Sequence, residues 1–163
     1  MTEKMTEPLV ETAIAPNFII ETDNGGTFNL QDNKGRYVVL YFYPKDNTPG
    51  CTKQAIAFSE YKQEFAGLNA TILGISPDSI KKHSNFRNKH DLTILLGADE
   101  QADVCQQYGV WQEKNMYGKK YMGVVRSTFI IDPEGKIAAI WRKVKVPGHI
   151  DAVLEKLQEL QNA

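Results

Sequence analysis

A chain of 163 residues with 42% hydrophobic content and two cysteines has the length of one domain, enough to bury a core without a disulfide or a metal. Its 19 basic and 20 acidic residues leave a net charge of -1 with no run of five like charges, which argues against capture of nucleic acid or an anionic membrane and favours small neutral partners. No apolar stretch has signal-peptide or transmembrane length, so the chain is expected to be cytoplasmic, a compartment that keeps thiols reduced and makes a structural disulfide framework unsuitable.

Residues 1–14 read as a loose N-terminal arm and 15–163 as a single domain. In NFIIETDNGGTFNLQD two short strands turn about Asn24, Gly25 and Gly26, because glycine supplies the positive φ of a tight hairpin. YVVLYFY (37–43) is a continuous β-branched and aromatic run, as expected for a strand covered on both faces. A helix follows from Pro49 to about Ala66, with Ala55, Phe58, Tyr61, Lys62 and Phe65 at helical spacing. ATILGIS (70–76) is a second buried strand, and a helix over about 79–90 is capped by Asp78 or Ser79. LTILLGAD gives a short strand and DEQADVCQQYG a short helix ended by Gly109. GVVRSTFIID and IAAIWRKV flank a turn at DPEGK, and an amphipathic helix starts near Ile150 with Val153, Leu154, Leu157 and Leu160 on one face. Alternating strands and helices, then a hairpin and a last helix, predict an α/β fold: a central mixed β-sheet flanked by helices, preceded by an N-terminal β-hairpin, in a thioredoxin-like layout.

The chemistry concentrates at PKDNTPGC. Thr48 suits an N-cap and Pro49 a first helical residue, which makes Gly50 and Cys51 the second and third. A thiol there faces unpaired backbone N–H groups and the positive end of the helix dipole, both of which favour the thiolate. The dipole contributes at most about 2 kcal/mol, so full activation calls for a fixed cation as well. The helix also begins at the carboxyl end of the 37–43 strand, the edge where open α/β sheets place their sites. The alternative, Cys51 as a small apolar filler, does not account for a capped, glycine-backed helix start.

Pro44, Thr48 and Cys51 at this spacing resemble the peroxidatic signature of the peroxiredoxins. YFYPKDNTPGCTKQA as a whole is similar to the bacterioferritin comigratory protein, or peroxiredoxin Q, subgroup, and the similarity runs from about Ala15 to the end, including YGVWQEK (108–114) and VVRSTFIID (124–132). The resemblance implies a thioredoxin fold and reduction of hydrogen peroxide or organic hydroperoxides by Cys51, without metal, flavin or other cofactor. It also assigns Arg126 as the cation that reaches the cysteine; from spacing alone Arg126 reads as a surface arginine in a salt bridge. Thr48 and the backbone N–H groups of Gly50 and Cys51 would bind the peroxide, with the Thr48 hydroxyl both capping the helix and donating to an oxygen, and Pro44 would shield the pocket.

The sequence departs from the subgroup at position 56, where many members carry a resolving cysteine and this chain has Ile56; the helix at 79–90 carries none either. Cys105 is the remaining candidate. It is expected about one and a half turns into its helix, with Ala102 and Tyr108 on the same stripe, which favours a structural role over resolution. The expectation is therefore a one-cysteine peroxidase, a monomer or weak homodimer, whose sulfenic acid is resolved by an external thiol such as thioredoxin, glutaredoxin or a small thiol. A non-catalytic redox sensor or partner-binding module signalling through Cys51 is the alternative, and CxxC oxidoreductase chemistry is disfavoured by Gln54. Trp111 and Trp141 read as packing residues. His83, His90 and His149 are scattered, two of them on a helix expected at the surface, so no metal site is predicted.

Overall fold

The computed structural model describes residues 9–162. Strands β1 (Ile19–Thr22) and β2 (Thr27–Asn29) form the expected hairpin, and β3 (Tyr37–Phe42) the buried central strand. Helix α1 (Pro49–Glu60) is followed after a break at Tyr61 by α2 (Lys62–Gly67), where one continuous helix to about Ala66 was expected. Then come β4 (Ala70–Ser76), α3 (Ile80–His90), β5 (Leu95–Ala98) and α4 (Asp103–Gln107). Strands β6 (Trp111–Met116), β7 (Lys119–Val124), β8 (Ser127–Ile131) and β9 (Ile137–Trp141) precede α5 (His149–Gln161). Ser79 caps α3 by accepting from the Lys82 N–H at 3.2 Å.

The main sheet has the order β2-β1-β5-β4-β3-β8-β9. The central β3, β4 and β5 are parallel, and β1, β8 and β9 join antiparallel, which makes the sheet mixed as predicted. Strand alternation divides the core in two. Val38, Leu40 and Phe42 pack on one face with Val104, Cys105 and Tyr108, whereas Val39, Tyr41 and Tyr43 pack on the other with Cys51, Ala55 and Phe58 of α1, Phe65, Phe86 and Val153. Within the second layer the Tyr41 ring stacks on Phe58 at 4.6 Å and lies flat across β4, where a Cβ on Gly74 would stand 2.6 Å from its Cζ. Only glycine allows that approach.

The hairpin β6–β7 was not expected. It turns through Tyr117 and Gly118, both at positive φ (53° and 81°), in the conformation for which asparagine-glycine is the usual signal. Its residues are largely exposed on both faces, so no apolar alternation marks the strands. The described part of the expected loose arm, 9–14, is tied to the sheet: the Thr12 N–H donates to the Ile137 carbonyl at 2.7 Å and the Ile137 N–H to that of Ala13 at 2.8 Å. No helix among the described residues is long and apolar enough to cross a membrane.

Candidate active site

Sheet register brings Arg126 to Cys51. Phe42 at the end of β3 faces Ser127 at the start of β8, so Arg126 stands at the carboxyl edge of β3 where the loop to α1 begins. Residues 126, 128 and 130 share a face, and Ile130 packs in the α1 layer, so the guanidinium is delivered to the side on which Cys51 lies. Its Nη2 donates to Cys51 Sγ at 3.3 Å and its Nη1 to Gln54 Oε1 at 2.6 Å. Cys51 is buried and a free thiol.

Thr48 occupies the N-cap position with extended backbone, but its hydroxyl makes no cap bond. It donates instead to the Lys45 carbonyl at 2.8 Å, because the loop folds back on itself through Asn47 at φ 64°. That corrects the expected side-chain cap: in this arrangement the hydroxyl hydrogen is engaged by Lys45 and the oxygen keeps its lone pairs. The first intrahelical bond runs from the Thr52 N–H to the Thr48 carbonyl at 2.8 Å, so the N–H groups of Gly50 and Cys51 have no intrahelical acceptor and remain for an anion. A Cβ on Gly50 would lie 3.3 Å from Arg126 Nη2, so glycine here makes room for the guanidinium. Pro44 is half-buried in the same loop, next to Tyr43.

Three neighbours went unread in the sequence. Gln54, one turn beyond Cys51 on α1, is fully buried and orients Arg126; its Nε2 has no partner, and neither does the buried hydroxyl of Tyr41. Its position at i+3 from Cys51 was the available signal. Lys114 of the β6–β7 hairpin is half-buried, and its stem crosses Gly123, with Cδ 3.3 Å from where a Cβ would be. Burial and then the Arg126 charge lower its pKa, partly offset by Cys51, which puts the lysine in the field of the site. His149 begins α5, shares a 2.8 Å hydrogen bond with Thr128 Oγ1, and is pushed down to about 4 by burial and by Arg126. It is neutral at pH 7.

Cys105 is not where the sequence reading set it. It is the third residue of a five-residue helix, in the first turn, and it packs on the face of the sheet opposite Cys51. Burial, followed by the charge and hydrogen bonding of Asp99, drives its thiol far above the ordinary range. The Cys105 N–H itself donates to Asp99 Oδ2 at 2.8 Å. Position 56 is a half-buried isoleucine packed against the α1 layer.

His83, expected on a surface helix, is fully buried. With Asp46 and Asp78 it forms a group whose possible ligand atoms lie within 4.8 Å of one another. They are already hydrogen-bonded: Asp46 Oδ1 accepts from the Tyr43 hydroxyl at 2.6 Å, Asp46 Oδ2 contacts His83 Nδ1 at 2.7 Å, and Asp78 Oδ2 accepts from Ser76 Oγ at 2.7 Å and the Asp46 N–H at 2.8 Å. These bonds tie the three side chains to one another and to the loop after β3.

Residues 12–140 match the AhpC/TSA family. The chain is 47% identical over 146 residues to a Bacillus subtilis protein named peroxiredoxin Bcp, covering 90% of this chain and 93% of that one. It is 42% identical over 152 residues to the Escherichia coli peroxiredoxin Bcp, covering 93% and 97%. Among solved structures it is similar to the bacterioferritin comigratory protein of Xanthomonas campestris, with a TM-score of 0.84 and 43% identity over 87% of this chain and 90% of that one. It is also similar to a PrxQ variant of Xylella fastidiosa, with a TM-score of 0.90 and 37% identity over 96% and 99%.

Proposed function

The chain belongs to the AhpC/TSA family and is a peroxiredoxin, an enzyme that reduces peroxides through a cysteine, and from that premise we propose that Cys51 is the reacting sulfur and Arg126 the cation that serves it. The 3.3 Å contact from Arg126 Nη2 to Cys51 Sγ at the amino end of α1 carries this reading. The Cys51 thiolate attacks the nearer peroxide oxygen in line; a sulfur–oxygen bond forms as the oxygen–oxygen bond breaks. Sulfur is oxidised to a sulfenic acid, and the departing oxygen takes a proton to leave as water or an alcohol. Arg126 and the N–H groups of Gly50 and Cys51 stabilise the charge that moves to the leaving oxygen, while Thr48 accepts from a peroxide O–H. Pro44 shields the sulfur from bulk water.

Hydrogen peroxide and organic hydroperoxides are the substrates; the Xanthomonas relative is described for alkyl peroxide reduction. The second thiol comes from outside the chain, from thioredoxin, glutaredoxin or a small thiol, because Cys105 lies on the other face of the sheet with its thiol held protonated, and position 56 is isoleucine. An attacking thiol gives a mixed disulfide and water, and a further thiol restores Cys51. Two free cysteines and dependence on an external thiol suit a reducing compartment such as the cytoplasm. Repeated peroxide consumption with dithiothreitol, abolished in Cys51→Ser, is the expected result. A protein that reacts once and stops is a sensor, and turnover that survives Cys51→Ser refutes the assignment.

A further inference from the structure

The loop that carries Pro44 and Thr48 has no regular structure, yet it is held from the interior. Asp46 at its centre is buried, receives the Tyr43 hydroxyl on one carboxylate oxygen and meets His83 Nδ1 at 2.7 Å on the other. On its far side His83 Nε2 lies 2.8 Å from the Gly97 carbonyl. A carbonyl only accepts, so Nε2 bears a hydrogen, and the Nδ1 contact with Asp46 holds one further proton between two acceptors. Burial acts against an imidazolium, but the hydrogen bond and charge of Asp46, the Gly97 carbonyl and Asp78 outweigh it and raise the His83 pKa above 6.5. The pair is thus a histidine–carboxylate clasp between α3 and the active-site loop, joined by the 2.7 Å Nδ1–Oδ2 contact. Removing one partner would leave the other buried and unpaired.

Resting on the reading of Cys51 as the reacting sulfur, we infer that His83 is a positioning residue for peroxide reduction: through Asp46 it holds the 43–48 loop so that Thr48 and the first turn of α1 keep Cys51 against Arg126. His83 touches no reacting atom. Cys51 is 1% exposed, and an external thiol is bulkier than hydrogen peroxide, so its attack on the sulfenic acid needs more displacement of the first turn of α1 than peroxide entry does. The clasp therefore speeds the first half-reaction and restrains the second.

The test measures the two half-reactions separately by stopped flow on the full chain, with hydrogen peroxide as oxidant and 2-mercaptoethanol as the resolving thiol. His83→Gln is expected to slow oxidation of Cys51 by about tenfold to a hundredfold, the scale of a small misplacement of catalytic groups, while the sulfenic acid reacts with the thiol faster than in the wild type. Tyr43→Phe removes only the hydroxyl bond to Asp46, leaves the fold less exposed to damage, and should move both constants in the same directions by less. Two outcomes overturn the inference: both constants unchanged in both variants, or both falling together in proportion to folded protein measured by circular dichroism. A wild type that forms no sulfenic acid at Cys51 overturns the reading beneath it as well.

Discussion

Gln54→Leu separates activity from stability at the site. Gln54 is fully buried, donates nothing through Nε2, and spends Oε1 on Arg126 Nη1 at 2.6 Å. Leucine of similar volume removes a charge-assisted bond of about 1.5–3 kcal/mol and also removes a buried, unpaired donor that costs about 1–3 kcal/mol. The two nearly cancel, so the change in stability should stay within about 1 kcal/mol, a Tm shift of roughly 2–4 °C at this chain length. Arg126, however, loses the group that aims Nη2 at Cys51. Loss of even ~1.4 kcal/mol of transition-state stabilisation slows oxidation tenfold, and at least that is expected. The assay is the second-order constant for peroxide consumption under single-turnover conditions, paired with a thermal melt. An unchanged rate constant per folded molecule would show that Gln54 does not aim Arg126 and would refute the reasoning.

Gly50→Ala should raise helix stability by about 0.5–1 kcal/mol yet slow oxidation, because the new Cβ at 3.3 Å pushes Arg126 Nη2 away from the sulfur; a melt and a rate constant on the same sample check both. Cys105→Ala should retain turnover with an external thiol, and wild-type protein given one equivalent of peroxide should show no Cys51–Cys105 disulfide by non-reducing mass spectrometry; finding that bond would contradict the opposite-face placement. His149 gives a pH dependence. Its folded pKa of about 4 lies below the unfolded value near 6.5, so between those pH values the unfolded chain binds more protons and stability falls as pH falls, by about 3 kcal/mol once pH 4 is passed. Urea denaturation at pH 7 and pH 4.5 should show a smaller acid loss in His149→Gln than in the wild type.

Elements buried on a regular face were legible in the chain. The run 37–43, the glycine-backed start of α1 and the capped α3 each announce themselves through a period, a cap or a turn residue. The β6–β7 hairpin did not, since strands exposed on both faces carry no alternation and Tyr117 stands where asparagine is the usual sign. Nor did the burial of His83, because α3 is so polar that its inward face shows only after Asp46 has been placed beneath the loop.

The two cysteines show the division most clearly. In the structure each is the third residue of a helix and meets the same end of a helix dipole, although only the start of α1 was marked in the sequence. Only the sheet tells them apart. Its register carries Arg126 to Cys51 across 75 positions of sequence, while Cys105 falls on the opposite face beside the Asp99 carboxylate. A cap and a dipole are set by residues within one turn and can be read along the chain. The sign of the charge that faces a buried thiol depends on which strands pair, and pairing is a property of the whole sheet.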